Sequence, residues 1–338
     1  MPKILDDIYY FRHPINANCV VFAFLTGNGR EFDLIDTGIK KFGIFRTLLK
    51  QMRKDGLEPW DVRNVFHTHY HFDHVQCDRL FQQNARRNKN NVVVYAGKPD
   101  KYRTKPKFSI IQSNMNYLLA HFQHSAIKSF QLMPFVGKFL LDPFMKTKTP
   151  ENIKFYEDQD EFLIGKYKAK VYLTGGHTEG HSFFYFPEIK ALHTGDNNAL
   201  NEFIVDFSAV IRSMQIARDL NPDMIFIGHN EPKTEKQDAY NWINTWFREF
   251  EGISDMLIPL IRNDVRINIT KIMKAMAGWT FKVEVIRFFA FMQLYVILHY
   301  LEMKKYGKIE LGKNDFTLYF HTAPNVEDIN VEFIPNNF

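Results

Sequence analysis

The stretch "VFHTHYHFDHVQ", Val65 to Gln76, packs four histidines and an aspartate into one short run. The segment "DVRNVFHTH" that leads into it reads as a strand. Alternating side chains on that strand would send His69, His71 and Asp73 to one side, with Tyr70 and Phe72 facing a core. A turn after Phe72 then swings His74 into the same pocket, at the start of a helix running through "FDHVQCDRLFQQNARR". Imidazole and carboxylate at this density suit a borderline divalent cation, zinc first, with iron or manganese also suited. An H-x-H alone is weak evidence, so partners must come from elsewhere in the chain.

Three further segments supply them. "TGGHTEGHS" places His177 in a glycine turn after a strand, "ALHTGDNN" places Asp196 at a strand end, and "MIFIGHNE" does the same for His229. Strand ends are where α/β folds put their sites. The intervening pattern agrees. "NCVVFAFLTGNGREFDLIDT" reads as two strands joined by a turn, "FGIFRTLLKQMRKDG" as a helix and "NVVVYAG" as a strand. That alternation implies a layered α/β domain.

With these motifs in hand the chain resembles the metallo-β-lactamase-fold superfamily. Thr68, His69, His71, Asp73 and His74 match its T-H-x-H-x-D-H motif, and Gly176 to His181 match its G-H-T-x-G-H motif. Gly195–Asp196 and Gly228–His229 match its later G-D and G-H motifs, and "LIDTG" matches its early aspartate strand. The resemblance spans roughly residues 15–232 and implies an αββα sandwich with two divalent metal ions. His69, His71 and His177 would bind the first. Asp73, His74 and His229 would bind the second, with Asp196 bridging. Asp36 would support the ligands from behind. His181 either orients a ligand through a hydrogen bond or caps the glycine turn. Departures are Gly175 and Glu179 where prolines are common, Asn230 for a frequent glycine, and "HVQC" for a small-residue tail.

Such a site implies hydrolysis: a hydroxide bridging the metals attacks a carbonyl carbon or phosphorus, with Asp73 as the catalytic residue that orients it. No G-x-S-x-G nucleophile motif is present. His67, which precedes the motif, reads as a packed core histidine, and Cys77 as a small buried hydrophobe. His121 and His124 read as surface or core residues.

Substrate class is less constrained, because one fold serves many reactions. A segment at about 98–150 breaks the strand–helix rhythm as a basic, aromatic, helical insertion. Its Phe130, Met133, Phe135, Phe139, Phe144 and Met145 could form an apolar lid or a homodimer surface. Between Arg79 and Lys148, 13 lysines and arginines face only Asp100 and Asp142, a net of +11. Such a charge suits an anionic partner, or is a solvated face. After His229 the pattern is mostly helical and ends in a short hairpin. Its "HYLEMKKYGKI" resembles the tail of the β-lactamase-like-protein-2 group, which implies a C-terminal winged-helix-like domain at 245–325 after a catalytic domain at 1–232. That group includes thioester hydrolases and single-stranded RNA endonucleases. A small-molecule ester, thioester or lactone is therefore the first substrate expectation, with single-stranded RNA as the alternative and a mono-iron oxygenase third.

The 33 phenylalanines imply an aromatic core or an apolar site. Two cysteines are too few for a disulfide framework, no secretory signal is evident, and the longest apolar run (Phe288 to Leu298) is too short to span a bilayer. A cytoplasmic setting is expected.

Overall fold

The structure, a computed structural model, describes residues 3–12, 19–104, 146–197 and 206–263, with 266–268, 301, 307–311 and 318–322. Seven strands form the first sheet: β1 (Lys3–Leu5), β2 (Ile8–Phe11), β3 (Val21–Leu25), β4 (Phe32–Ile35), β5 (Val62–Phe66), β6 (Val93–Gly97) and β7 (Ile153–Tyr156). They lie in chain order, antiparallel from β1 to β4 and parallel from β4 to β7. Five strands form the second: β8 (Glu161–Ile164), β9 (Tyr167–Leu173), β10 (Ser182–Phe186), β11 (Ala191–His193) and β12 (Met224–Phe226). This sheet is antiparallel except where β12 adds parallel to β11.

Period-two patterning decides how the layers meet. On β3, Phe22 and Phe24 join the core between the sheets, while Val21 and Ala23 join the core beneath the helices. Phe24 stacks on Phe186 with ring centroids 5.0 Å apart, and Phe22 on Phe226 at 5.1 Å. Among the described residues, phenylalanines fill the contact between sheets, and Phe11, Phe32 and Phe81 extend into the core beneath the helices. Helices α1 (Ile44–Lys54) and α3 (Asp78–Ala85) cover the first sheet through Leu48, Met52, Phe81 and Ala85.

Helix α4 (Phe207–Leu220) starts where the Asp206 carboxylate accepts the Ala209 N–H at 3.1 Å, and it ends at Asn221 in the left-handed conformation. It packs on α5 (Lys236–Asn263), which in turn packs on β12. The order of layers is therefore helix, sheet, sheet, helix, the expected αββα sandwich.

Two expectations about the histidine run are corrected. Strand β5 stops at Phe66, so His69 and His71 are aimed by a loop and not by strand parity. The single expected helix is two, α2 (Phe72–Val75) and α3, and Asp73 and His74 both ride on the first. The lid residues, His121, His124 and the apolar run at Phe288 fall outside the described residues. So does most of the expected winged-helix-like domain. Its described part beyond α5 is a three-stranded antiparallel sheet, with β15 (Leu318–Thr322) between β13 (Arg266–Asn268) and β14 (Gly307–Leu311). No helix among the described residues is long and apolar enough to cross a membrane.

Candidate metal centre

Five of the seven candidate ligands lie just past the end of a strand, His69 and His71 after β5, His177 after β9, Asp196 after β11 and His229 after β12, while Asp73 and His74 ride on α2. Backbone bonds tie these ends together. Ser182 N donates to Thr68 O at 2.8 Å, joining the two sheets, and Gly228 N donates to Gly195 O at 2.9 Å. Gly176 makes the turn before His177 at φ 90°, and a Cβ there would meet Val210 Cγ2 at 2.7 Å, so only glycine fits.

The ligand atoms form two groups, His69, His71 and His177 in one and Asp73, His74, Asp196 and His229 in the other. Within each group, atoms able to coordinate a cation lie within 4.8 Å of one another. Asp196 joins the groups. Its Oδ2 is 3.2 Å from the Nε2 atoms of His74 and His229, and 3.6 Å from those of His69 and His177. Asp73 Oδ2 lies 3.2 Å from His229 Nε2.

Hydrogen bonds behind the ligands set which nitrogen faces inward. Asp36 Oδ2 lies 2.8 Å from His74 Nδ1 and accepts the Thr68 hydroxyl at 2.9 Å, while its Oδ1 accepts the Thr68 N–H at 3.0 Å. Having donated to Asp36, the Thr68 hydroxyl accepts from His69 Nδ1 at 3.0 Å. Both imidazoles therefore hold their protons on Nδ1 and turn Nε2 lone pairs to the centre. His181 accepts the Asp196 N–H on Nε2 at 3.1 Å and donates from Nδ1 to Thr174 Oγ1 at 2.9 Å. It thus orients a ligand and is not one itself.

Electrostatics suit a cation. Burial, and then neighbouring imidazoles, hold His69 and His71 well below the usual histidine range, in the neutral form that binds metal. Burial works against ionised Asp196, but His229, His74 and His69 outweigh it and keep its carboxyl well below the usual range. Burial likewise pulls His229 down, and the carboxylates of Asp196 and Asp73 push it up to about 12. His69 Nε2 and Asp196 Oδ1 are buried and make no hydrogen bond, a cost that a bound cation removes. The donor set and these buried atoms fit bound metal.

A family model described as the metallo-beta-lactamase superfamily matches residues 14–229. The chain belongs to that superfamily. Its members are metal-dependent hydrolases, and this chain is one of them. Two solved structures show the same fold. A metallo-beta-lactamase family protein from Thermus thermophilus is 17% identical, with a TM-score of 0.68, covering 94% of this chain and 100% of that one. A beta-lactamase domain protein from Burkholderia ambifaria is 16% identical, with a TM-score of 0.71, covering 95% and 93%. A curated hydroxyacylglutathione hydrolase from Brucella anthropi is 43% identical over 51 residues, 15% of this chain and 20% of that protein. The match thus spans about a fifth of that relative.

Several residues behind the superfamily motifs escaped sequence reasoning. His67 is buried as expected, yet it lies between two carboxylates, with Nδ1 3.2 Å from Asp36 and Nε2 3.0 Å from Asp78. Burial lowers it, but Asp78 and Asp36 together raise it to about 9. Asp78 also accepts the Thr37 hydroxyl at 2.8 Å. Asp100 is fully buried where the chain leaves β6, and accepts the N–H groups of Tyr70 at 2.9 Å and Gly180 at 3.0 Å. Its signal in the sequence was its isolation: it is one of two acids in the basic segment, directly after a strand.

Four of the described cations of the basic segment are paired with carboxylates. Arg79 and Arg86 both pair with Glu151, Lys98 pairs with Glu157, and Arg103 pairs with Asp100 and Glu179. Three of these acids, Glu151, Glu157 and Glu179, lie outside the Arg79–Lys148 segment that carries the +11.

Proposed function

We propose that the chain is a two-metal hydrolase of acyl compounds, with thioesters as its first substrate class and carboxyl esters and lactones beside them. In this reading His69, His71 and His177 hold one cation and Asp73, His74 and His229 the other, with Asp196 shared. The observation that carries it is Asp196 Oδ2, within 3.6 Å of an imidazole nitrogen from each group. Zinc suits an imidazole-rich donor set first. When bound, such cations supply Lewis acidity and lower the pKa of water toward about 7.

The chain's own residues do the rest. Thr68 and Asp36 fix the tautomers of His69 and His74, so neither ring must reorganise during turnover. Asp73 turns Oδ2 to His229, which leaves its Oδ1 to orient an attacking water and accept its proton. Asp196 is held from behind by His181 through its backbone N–H.

Thioesters come first because the local match at 43% identity is to a protein named for hydroxyacylglutathione hydrolysis. The RNA-cleaving alternative rests on an open basic surface, and the pairing of Arg79, Arg86, Lys98 and Arg103 with carboxylates weighs against it. A mono-iron oxygenase needs one cation, whereas Asp73, His74 and His229 provide donors for a second.

The test offers metal-loaded protein a hydroxyacyl thioester of glutathione, a lactone, a carboxyl ester and a single-stranded RNA, with Asp73→Ala as the blank. Thiol release that disappears in the variant supports the reading. Cleavage of the RNA alone replaces it.

A further inference from the structure

We propose that Asp100 is a positioning residue for the three-histidine group, because its buried carboxylate fastens the loop bearing His69 and His71 to the loop bearing His177. The inference rests on the two-cation reading above and extends it to a residue outside the ligand set.

Four donors converge on this one side chain. Oδ2 accepts the Tyr70 N–H and the Thr178 hydroxyl, each at 2.9 Å. Oδ1 accepts the Gly180 N–H at 3.0 Å and Arg103 Nε at 3.1 Å. Tyr70 separates His69 from His71, and Thr178 follows His177 directly. The carboxylate therefore links the backbone N–H between His69 and His71 to the side chain of the residue after His177. Those histidines end up close together, with His71 Nδ1 2.8 Å from His177 Nε2 and the two ring centroids 4.5 Å apart. A backbone bond from Ser182 to Thr68 also links the loops, and it adjoins His69 but lies further along the chain from His71 and His177 than the Asp100 contacts do.

The approach is close enough to dictate sequence. A Cβ on Gly180 would fall 2.6 Å from Asp100 Cγ, so the residue after Glu179 must be glycine for the carboxylate to reach its N–H. Arg103 holds Asp100 in place from the outside. The same guanidinium donates to Glu179 Oε2 at 2.6 Å, and Tyr102 donates to that oxygen at 2.8 Å. The 3-10 segment Lys98–Thr104 thereby closes over the His177 loop.

Asp36 serves a different set, gripping His74 directly and His69 through Thr68. The two carboxylates thus divide the support of the centre. Replacing Asp100 should weaken the three-histidine group and spare the Asp73–His74–His229 group.

The experiment titrates metal-free protein with cobalt(II) against a chromophoric chelator, comparing the parent chain with Asp100→Asn. Two equivalents in the parent chain test the two-cation reading by themselves. In Asp100→Asn one equivalent should bind as before and the other at least about tenfold more weakly. Equal weakening of both, or of neither, overturns the inference. Amide hydrogen exchange in the metal-free proteins provides a readout independent of metal. Exchange should rise at 69–71 and 177–181 in the variant and stay unchanged across α1. Unchanged exchange at those loops overturns the inference whatever the metal count, and circular dichroism confirms that the variant is folded.

Discussion

His74 Nδ1 lies 2.8 Å from Asp36 Oδ2, and both side chains are fully buried. Asp36 is also the acceptor for the Thr68 N–H and hydroxyl and for His67. Burial alone would raise its pKa, but the imidazoles of His74 and His67 outweigh that and hold it ionised. An Asp36→Asn side chain keeps the shape but turns an N–H toward groups that donate. Metal affinity of the Asp73–His74–His229 group should fall by about ten- to a hundredfold. The protein should also lose stability, since a buried donor left without an acceptor costs about 1–3 kcal/mol. Calorimetric metal titration and urea unfolding check the two effects.

Removing metal should cost both activity and stability. The centre keeps an ionised Asp196 and the neutral imidazoles His69 and His71 in a buried space, and a cation that binds only the folded state stabilises it by mass action. At free metal about a hundredfold above Kd the gain is about 2.7 kcal/mol. Chelation should lower the midpoint of thermal unfolding and abolish acyl hydrolysis, and zinc should restore both. Activity that survives exhaustive chelation would remove the metal from the reaction.

The seven candidate ligands that the fold brings together could be picked out in the sequence because each sits in a short motif of residue types that offer a lone pair to a cation. How the ligands are aimed was not legible. Strand parity placed His69, His71 and Asp73 on one side, yet β5 ends at Phe66 and the tautomers are set by Thr68 and Asp36. Asp100 stood out by its isolation among basic residues, but its role was not readable: half of its partners are backbone N–H groups, which leave no trace in residue type, and Gly180 is 80 residues away. Strands β7 and β8 were missed because both are edge strands, where charged residues such as Lys154 and Glu161 dilute the apolar pattern.

His193 provides an acid-sensitive element apart from the ligands. Its Nδ1 accepts the Gly195 N–H at 3.1 Å, and its ring lies edge-on to Phe22 at 4.8 Å. Burial lowers its pKa to about 4. An unfolded histidine titrates near 6.5, so between about 4 and 6.5 the unfolded chain binds the extra proton and stability rises with pH. The contribution is complete above about 6.5 and is lost as pH falls toward 4, on the order of 3 kcal/mol at 1.36 kcal/mol per pH unit. His193→Asn keeps an acceptor for Gly195 and does not titrate. Urea unfolding of chelated protein should therefore show a shallower loss of stability from pH 7 to 4.5 in the variant, with the remaining slope set by other buried histidines.

Salt separates the two substrate readings. A nucleic-acid track works by releasing counterions, and about six phosphate contacts would cost on the order of a thousandfold in affinity between 50 and 200 mM salt. In this chain Arg79 and Arg86 share Glu151, Lys98 faces Glu157, and Arg103 is buried against Asp100 and Glu179. Cations already paired with carboxylates release few counterions when a polyanion approaches. Acyl-thioester hydrolysis should therefore change less than about threefold in kcat/KM across that salt range. Glu151→Gln frees Arg79 and Arg86 together and should increase binding of a fluorescent single-stranded RNA without altering thioester turnover. A parent chain that already binds the RNA tightly at 50 mM salt, and loses it by 200 mM, would show that these pairs do not neutralise the surface and would return RNA to the front.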